Sequence, residues 1–464
     1  MSQPAAGRRR TAATRGLHPL LVIAVLVPIL TVLVAQGLRQ PQTVAETGAP
    51  QDAPLTRADR GCPAAPAKGG ILVANARPEA TGEIELRRLD QEDVEPESVP
   101  LSSGATADLA ESGPVLVTGH DDLAPGLLAT RVAAGRLAGV VCPAPAPDAW
   151  FTGLGARAEH ASVLELQNPD VGAAVVDVSF FTRQGAVDVP ELLGVRVPGR
   201  STYVVDLAQQ VPRRGDVAVH LAVTRGRLSA TVRDRFERIG SDTRSVDWLA
   251  PQAGPATETL LLGLPAGRGY RTLTLANPGE DQARVDLKLV TEDSTFAPAD
   301  LKQVQVRPGS LVNVHLDKIL AREVRKGALG VQVTATRPVT STFTSLVHDD
   351  LTVAQAPPAV DDTASVLLPP GDRTMLVAGA TTTGLVTVTF RDADGGELPE
   401  QKVEVTPGRA FTVPVPAKAT LATMTVARTS VSAAVLVEGD GALVLPFGSP
   451  AEVGLVPSVR PADR

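Results

Sequence analysis

Short runs in which apolar and polar residues alternate recur along most of the chain and predict β-strands. Between residues 217 and 223 every second residue is apolar, and the stretches 203–207 and 312–316 follow the same pattern. Alternation with a period of two is typical of an antiparallel strand that buries one face and exposes the other. Helical periodicity is confined to one short segment, residues 316–326. The pattern therefore predicts an all-β protein.

A strand that ends in Asn-Pro occurs twice, at residues 163–169 and 272–278. An asparagine side chain can bond nearby backbone donors, and the residue before a proline favours extended geometry. We therefore interpret four residues as structural turns: Asn168, Pro169, Asn277 and Pro278. Pro-Gly turns follow at 198–199, 308–309 and 407–408. A strand-turn-strand unit of about 75–100 residues predicts tandem immunoglobulin-like or fibronectin-like β-sandwiches.

These repeats divide the chain into four β-sandwich modules and a short tail. We place the modules at residues 61–145, 146–250, 251–355 and 356–456, and the C-terminal tail at 457–464. The fourth module lacks the Asn-Pro turn. Because Pro-rich stretches separate the modules, we expect an array whose modules unfold nearly independently.

The N-terminal residues predict export. Residues 1–16 hold four arginines and no acid, and residues 17–38 are mostly apolar and carry no Lys, Arg, Asp or Glu. A helix of that length rises about 33 Å, enough to cross a bilayer. We predict a cytoplasmic basic tail at 1–16, a transmembrane signal anchor at 17–38, a flexible tether at 39–60 and an extracytoplasmic remainder on a single-pass membrane protein. A cleaved signal peptide and a secreted protein are the alternative.

Composition narrows the class of partner. Aromatic residues make up 3% of the chain, so valine, leucine, alanine and threonine must fill the cores. The chain has 44 basic and 51 acidic residues, a net charge of -7, which implies no basic face. This balance argues against nucleic acid as a partner.

The two cysteines, Cys62 and Cys142, flank the first module. In an exported chain such a pair predicts a disulfide, which the loop-entropy account values at about 4–5 kcal/mol. Two buried free thiols are the alternative. A metal site would need further ligands nearby.

Candidate chemistry is sparse. The tetrapeptide His-Asp-Asp-Leu occurs at 120–123 and at 348–351 and could hold a divalent cation, but the two copies occupy different positions in their modules. We assign both to solvated loops. The sequence has no His-Glu-x-x-His motif, nucleophile elbow or phosphate loop. We therefore predict that the protein is not an enzyme and has no catalytic residues, no metal ligands and no cofactor.

Trp150 and Trp248 each precede a module and form the candidate interface. If exposed, they would offer a platform for stacking against sugar rings. If buried, they would fill the joints between modules. Only two tyrosines accompany them, so a broad aromatic face for glycans is difficult to build.

The segment from Cys142 to Pro169 resembles a known family. Cys142-Pro143, then Trp150-Phe151 and Gly153, then a leucine-containing strand and Asn168-Pro169 are similar to an actinobacterial family of membrane-anchored extracytoplasmic proteins of unknown function. The resemblance implies a place in the cell envelope and a link to a membrane glycosyltransferase. It transfers no functional residues. The fourth module departs from the family pattern because it lacks the Asn-Pro turn.

The sequence as a whole favours a non-catalytic structural or interaction protein of the bacterial cell envelope. Its partners would be the membrane, through a single span, and an envelope protein or glycan that the sequence does not identify. A glycan-binding accessory protein of envelope polysaccharide synthesis is the alternative. A secreted metalloenzyme ranks last because metal-ligand spacing is absent.

Overall fold

The computed structural model describes residues 26–27, 29–31, 47–65, 69–91, 94–133, 137–237 and 244–459. The predicted basic tail, most of the predicted anchor and the first part of the predicted tether lie outside the described residues. Within the described part of the chain, no helix combines the length and the hydrophobicity needed to span a bilayer. The chain divides into two compact units, one of residues 1–53 with 455–464 and the other of residues 54–454. Strand β1 (Thr47–Pro54) comes first.

Module 1 begins at Arg57, before the expected boundary at residue 61. Its eight strands are β2 (Arg57–Cys62), β3 (Gly69–Asn75), β4 (Gly82–Arg88), β5 (Glu97–Leu101), β6 (Thr106–Leu109), β7 (Val115–His120), β8 (Leu127–Ala133) and β9 (Ala138–Val141). They form two four-stranded antiparallel sheets with the orders β2-β7-β4-β5 and β6-β3-β8-β9. A 3-10 helix, Asp121–Leu123, follows β7.

Module 2 contains nine strands and a short helix. The strands are β10 (Asp148–Ala156), β11 (His160–Gln167), β12 (Ala174–Thr182), β13 (Gly185–Val187), β14 (Val195–Val197), β15 (Thr202–Asp206), β16 (Gly215–Arg225), β17 (Ser229–Glu237) and β18 (Arg244–Leu249). Helix α1 (Leu207–Gln210) follows β15, and a 3-10 helix spans Pro190–Leu192. β12 pairs with β16 on one side and with both β13 and β14 on the other, so the two short strands share one position.

Module 3 contains a 20-residue strand that runs through both of its sheets. Its strands are β19 (Ala256–Leu262), β20 (Gly269–Asn277), β21 (Ala283–Thr291), β22 (Thr295–Phe296), β23 (Val304–Val306), β24 (Ser310–His315), β25 (Ala328–Val347) and β26 (Asp350–Gln355). The first half of β25 pairs with β19 and β21, and the second half with β20 and β26. Helix α2 (Asp317–Glu323) and the 3-10 helix Val324–Lys326 confirm the helix predicted at 316–326.

Module 4 again has eight strands in two four-stranded sheets. They are β27 (Thr363–Leu367), β28 (Asp372–Ala378), β29 (Gly384–Arg391), β30 (Glu397–Val405), β31 (Ala410–Pro414), β32 (Leu421–Ala427), β33 (Ser432–Glu438) and β34 (Ala442–Pro446). The last strand, β35 (Val453–Val459), pairs with β1 in a separate two-stranded sheet.

All four modules share one strand order. The first strand pairs with the sixth, the sixth with the third and the third with the fourth, while the facing sheet has the order fifth, second, seventh, eighth. In module 3, β25 supplies both the sixth and the seventh strand. An immunoglobulin domain instead places its first, second, fifth and fourth strands together. The all-β prediction is confirmed and the sheets are consistent with the predicted β-sandwich modules, although their strand order differs from that of an immunoglobulin domain.

The Pro-Gly turns connect the fourth and fifth strands of modules 2, 3 and 4. Gly309 and Gly408 have φ angles of 61° and 75°, in the left-handed region that favours glycine. In module 2 the left-handed residue is Arg200, one position later, with φ 54°. Gly199 is needed there for a different reason, because a Cβ at this position would lie 1.8 Å from the carbonyl oxygen of Val171.

A disulfide joins Cys62 at the end of β2 to Cys142 just after β9, as the sequence predicts. The Cα atoms are 4.7 Å apart, and both residues are buried in the core of module 1. The bond closes a loop with a sequence separation of 80 residues. It therefore restricts the unfolded chain of the whole module.

The disulfide leads to a labelling prediction. Denatured full-length protein should take up no maleimide before reduction and two labels per chain after it, because the sequence has two cysteines and both are bonded. Denaturation is needed because burial would also shield free thiols. Mass spectrometry would read the label count, and two labels without reductant would contradict the bond.

Within residues 54–454 the modules pack against one another. Leu261 of module 3 and Leu436 of module 4 belong to one apolar cluster. Leu72 of module 1 packs with Leu367 of module 4 in another. β12 of module 2 also forms a parallel pairing with β24 of module 3. This packing argues against the nearly independent modules that we expected, because the modules bury apolar residues of their sheets on each other.

Candidate functional site

Both tryptophans of the candidate interface are buried. Trp150 lies in β10 and is 7% exposed, with its ring stacked on His220 at 4.2 Å and on Phe181 at 5.6 Å between centroids. Trp248 lies in β18 and is 3% exposed, packed with Ala138 and Val140 of module 1. Neither ring offers an open face to a sugar. The platform interpretation is therefore corrected, because His220 and Phe181 of its own module stack on Trp150 and residues of module 1 pack against Trp248.

Asn168 ties together the turn that follows β11. Its Nδ2 donates to the carbonyls of Gly172 (2.8 Å) and Val197 (3.1 Å), and its Oδ1 accepts from the backbone N–H of Asp170 (3.0 Å). The side chain thus joins the second strand of module 2 to the end of its fourth strand. This bonding supports the interpretation of Asn168 and Pro169 as a structural turn.

Asn277 repeats each of these bonds in module 3. Its Nδ2 donates to the carbonyls of Asp281 (2.7 Å) and Val306 (3.2 Å), and its Oδ1 accepts from the N–H of Gly279 (3.1 Å). The residue is fully buried. Asn277 and Pro278 therefore form the same structural turn one module later.

A charged cluster that the sequence reading missed lies inside module 2. His160 places its Nε2 2.8 Å from Oδ2 of Asp234 and its Nδ1 3.3 Å from Oδ1 of Asp216. Ser162 donates its hydroxyl to Asp234 and accepts from the N–H of Gly155 at 2.7 Å. Asp216 also accepts from Arg157 and, across the module boundary, from Asn313. The members are spread along the sequence, so no short motif marks them.

The charges and the burial of this cluster indicate a structural role rather than a catalytic one. Burial opposes charge on the imidazole, but the carboxylates of Asp234 and Asp216 outweigh it and raise the pKa of His160 to about 10. A protonated imidazole cannot accept a proton from Ser162, whose hydroxyl already points to Asp234. Ser162 and Asp234 are fully buried, so no substrate reaches them.

The eighth strands of the four modules meet in a closed ring. β9 contacts β18, β18 contacts β26, β26 contacts β34 and β34 contacts β9. Asp247 of β18 accepts hydrogen bonds from the backbone N–H groups of Gly139 (3.3 Å) and Val353 (3.1 Å). Asp350 of β26 accepts one from Ala442 (2.9 Å). Two carboxylates therefore bind backbone donors from three other strands and fasten the modules together.

The ring holds its acids away from water. Burial raises the pKa of Asp247 well above its usual range, and the neighbouring Asp350 carboxylate adds to the rise, while backbone N–H bonds oppose it. The stabilising contribution of Asp247 is consequently lost as pH rises through its folded-state pKa. Asp350 belongs to the second His-Asp-Asp-Leu tetrapeptide, and at 1% exposure it corrects the assignment of that segment to a solvated loop.

A cleft lies within residues 54–454 where modules 3 and 4 meet. It encloses about 670 Å³ and is lined by β19 and β25 of module 3, by the segments after β28 and before β31 of module 4, and by the connecting segments 250–254 and 355–359. A volume of several hundred Å³ is typical of small-ligand sites. Its polar lining is mostly amide and hydroxyl: Gln252, Thr259, Thr295, Gln332, Thr340, Ser341, Gln355, Thr381 and Ser432.

Comparison with known proteins identifies the family. Residues 102–416, more than half of the chain, match a family of unknown function, DUF5719. The chain belongs to this family. No curated protein matches this DUF5719 member. Among solved structures it is similar to the native conformation of alpha-2-macroglobulin from E. coli, at 12% identity with a TM-score of 0.14. That match covers 89% of this chain and 30% of the macroglobulin, so the chain spans less than a third of that protein.

Proposed function

We propose that this DUF5719 member is a non-catalytic, membrane-anchored extracytoplasmic interaction protein of the bacterial cell envelope. The observation that carries the proposal is the closed ring of eighth strands, since it joins four sandwiches into one body. Such a body can present a fixed surface to a partner without the entropic cost of ordering flexible modules. The disulfide and the apolar run at residues 17–38 support a place outside the cytoplasm.

The polar clusters support a binding role over catalysis. The charged group around His160 is buried and internally paired, and the two acids of the ring are 1% exposed. In the part of the chain that the structure describes, no group of three or more metal-binding side chains is arranged to hold an ion. The cleft between modules 3 and 4, in contrast, is open to a ligand.

An accessory protein that binds glycan and works beside a membrane glycosyltransferase is the second candidate. The sequence supported it through a pair of tryptophans that could stack on sugar rings if exposed, but both side chains are buried. The observation that now favours it is the cleft, because amides and hydroxyls are the side chains that pair with sugar hydroxyls.

Localisation of the full chain tests the first proposal. We expect the protein in the membrane pellet with its N-terminus at residue 1 or 2, and we expect protease added outside spheroplasts to digest the region after residue 39. Substituting Val27→Arg together with Leu30→Arg should release the protein from the pellet, because each charge in a span costs about 2.5–3.5 kcal/mol. Val27→Leu with Leu30→Val is the matched control.

Two results would refute the anchor. One is a new amino terminus after Ala35 or within residues 36–50, which would indicate cleavage. The other is a protein protected from external protease until the membrane is permeabilised, which would place the modules in the cytoplasm.

A further inference from the structure

Two glutamines in the cleft are held with their acceptor oxygens unused. Gln252 donates Nε2 to the carbonyl of Ser341 (3.1 Å) and Gln355 donates Nε2 to the carbonyl of Ala250 (2.7 Å). A backbone carbonyl can only accept, so each amide orientation is fixed by chemistry. Among the residues that the structure describes, no donor reaches Oε1 of either glutamine. The cleft therefore offers two immobilised acceptors, whose ordering cost is met before a ligand binds.

The charges of the cleft balance. Its lining contains one acid, Glu258, and one base, Arg409. Arg409 donates Nε to the carbonyl of Glu292 and lies 5.7 Å from the ring centroid of Phe411, so it is held in place. A polyanion or polycation would meet no compensating excess of charge, and burying unpaired charge is costly. A neutral ligand fits this balance.

The remaining lining combines hydroxyl groups with small apolar faces. The hydroxyls of Thr259 and Ser341 lie 2.9 Å apart and bond each other, which leaves one of them able to donate further. Proline rings contribute flat C–H surfaces from three segments: Pro251, Pro357 and Pro446. Sugar rings present hydroxyls at their edges and C–H groups on their faces, and both kinds of surface are met here.

We propose that this cleft binds a neutral, hydroxyl-rich chain, that is, a segment of an uncharged polysaccharide. The inference rests on the proposed function, since it names the ligand class of an interaction protein. An extended peptide is the competing occupant because, among the described residues, β19 forms a ladder with β25 alone and so lies at an edge of its sheet. A peptide N–H and a sugar hydroxyl can both donate to the glutamine oxygens, and the polysaccharide is favoured because the C–H faces of its rings also match the proline rings of the lining.

The test is calorimetric titration of the full chain in detergent micelles with defined probes. The probes are neutral oligosaccharides of six or seven units from glucan, mannan, galactan and arabinan series, an uncharged Thr-Val peptide of similar length and a polyuronate fragment. The blocking variant is Gly254→Phe. A Cβ at this exposed position of the lining meets nothing within 4 Å, so a ring can be added at the cleft without displacing protein atoms.

Gly172→Phe is the matched control. It lies in the turn after Asn168, far along the chain in module 2, and a Cβ there also meets nothing within 4 Å. We expect at least one neutral series to bind, Gly254→Phe to weaken that binding by at least about tenfold, equal to about 1.4 kcal/mol, and Gly172→Phe to change it less than about twofold. Gln332→Leu, which removes an amide from the lining, should weaken it as well.

Three outcomes would overturn the inference: no neutral oligosaccharide binds at millimolar concentration, binding persists in Gly254→Phe, or the peptide or polyuronate binds more tightly than every neutral sugar. The protease and fractionation results for residues 17–38 are independent of these titrations. A correctly anchored, outward-facing protein that binds no oligosaccharide would refute the ligand class and leave the proposed function standing.

Discussion

Replacing His160 with alanine is expected to lower the free energy of unfolding by about 3–5 kcal/mol, the range observed when one partner of a buried ion pair is removed. The imidazolium lies between the carboxylates of Asp234 and Asp216, and Asp234 is fully buried. Without His160, the side chain of Asp234 loses its imidazolium partner in a dry site and keeps the hydroxyl of Ser162 as its remaining side-chain donor. Chemical denaturation of the full chain, followed by circular dichroism, measures the loss.

His315→Ala is the matched control for this substitution. His315 is exposed at the end of β24, where its ring lies 3.3 Å from the hydroxyl of Thr272, so its removal should cost less than about 0.5 kcal/mol. The double variant His160→Leu with Asp234→Leu separates charge from packing. Removing both charges should recover part of the loss, whereas a double variant less stable than His160→Ala would show that packing dominates.

The same histidine predicts how stability depends on pH. Its pKa rises from 6.5 to about 10 on folding, so its contribution is fully present below about 6.5 and is lost as pH rises through about 10. The free energy of unfolding of the wild type should therefore fall between pH 7 and pH 10. Since His160→Ala lacks the group, its curve should be flatter across that window. Equal slopes for the two proteins would contradict the raised pKa.

Local features of the fold are readable in the sequence because they depend on neighbouring residues. The alternation at 217–223 becomes β16, the segment 316–326 becomes a helix, and the Pro-Gly pairs become turns. The disulfide is also predictable, because the predicted export and the position of Cys62 and Cys142 at the two ends of one module both favour it. Each of these features follows from local backbone preference or from the number and spacing of the cysteines.

Features that depend on distant contacts escape the sequence reading. The Pro-rich linkers suggest spacers, yet the outward residues Leu72 and Leu367 pack module 1 on module 4. No local pattern distinguishes an apolar residue buried within a sandwich from one buried between sandwiches. Asp350 illustrates the same limit: it reads as a polar loop residue, yet it is buried, and donors from distant strands, Ala442 of β34 and Ser245 of β18, bond its side chain.

The candidate functional residues show the same division between what local sequence indicates and what depends on distant contacts. Trp150 and Trp248 attract attention because tryptophan is rare in this chain, but rarity carries no information about exposure. The cleft is built from Gln252, Gln355 and small residues that are common in any loop. Its hydrogen-bonding chemistry depends on the fact that the two glutamine Nε2 groups already donate to backbone carbonyls. Those carbonyls, of Ser341 and Ala250, can be identified only once the residues are placed in space.

Asn277→Ala is the second substitution with a large expected effect. It removes three hydrogen bonds at a fully buried position and leaves the carbonyls of Asp281 and Val306 and the N–H of Gly279 without their partner. The bond to the Val306 carbonyl is buried, whereas Gly279 and Asp281 are exposed and water can replace their lost partner, so the free energy of unfolding should fall by about 1–3 kcal/mol. Gln305→Ala, at an exposed position on the adjacent β23, should cost less than about 0.5 kcal/mol.

The effect of Asn277→Ala should spread beyond module 3. Leu261 of module 3 shares an apolar cluster with Leu436 and Val444 of module 4, so loss of the turn should shift both modules in one transition. Differential scanning calorimetry of the full chain in micelles resolves this, with Asn168→Ala as the equivalent change in module 2. If Asn277→Ala left every transition in place but abolished binding of the neutral oligosaccharide, the turn would be a binding site and its structural role would be refuted.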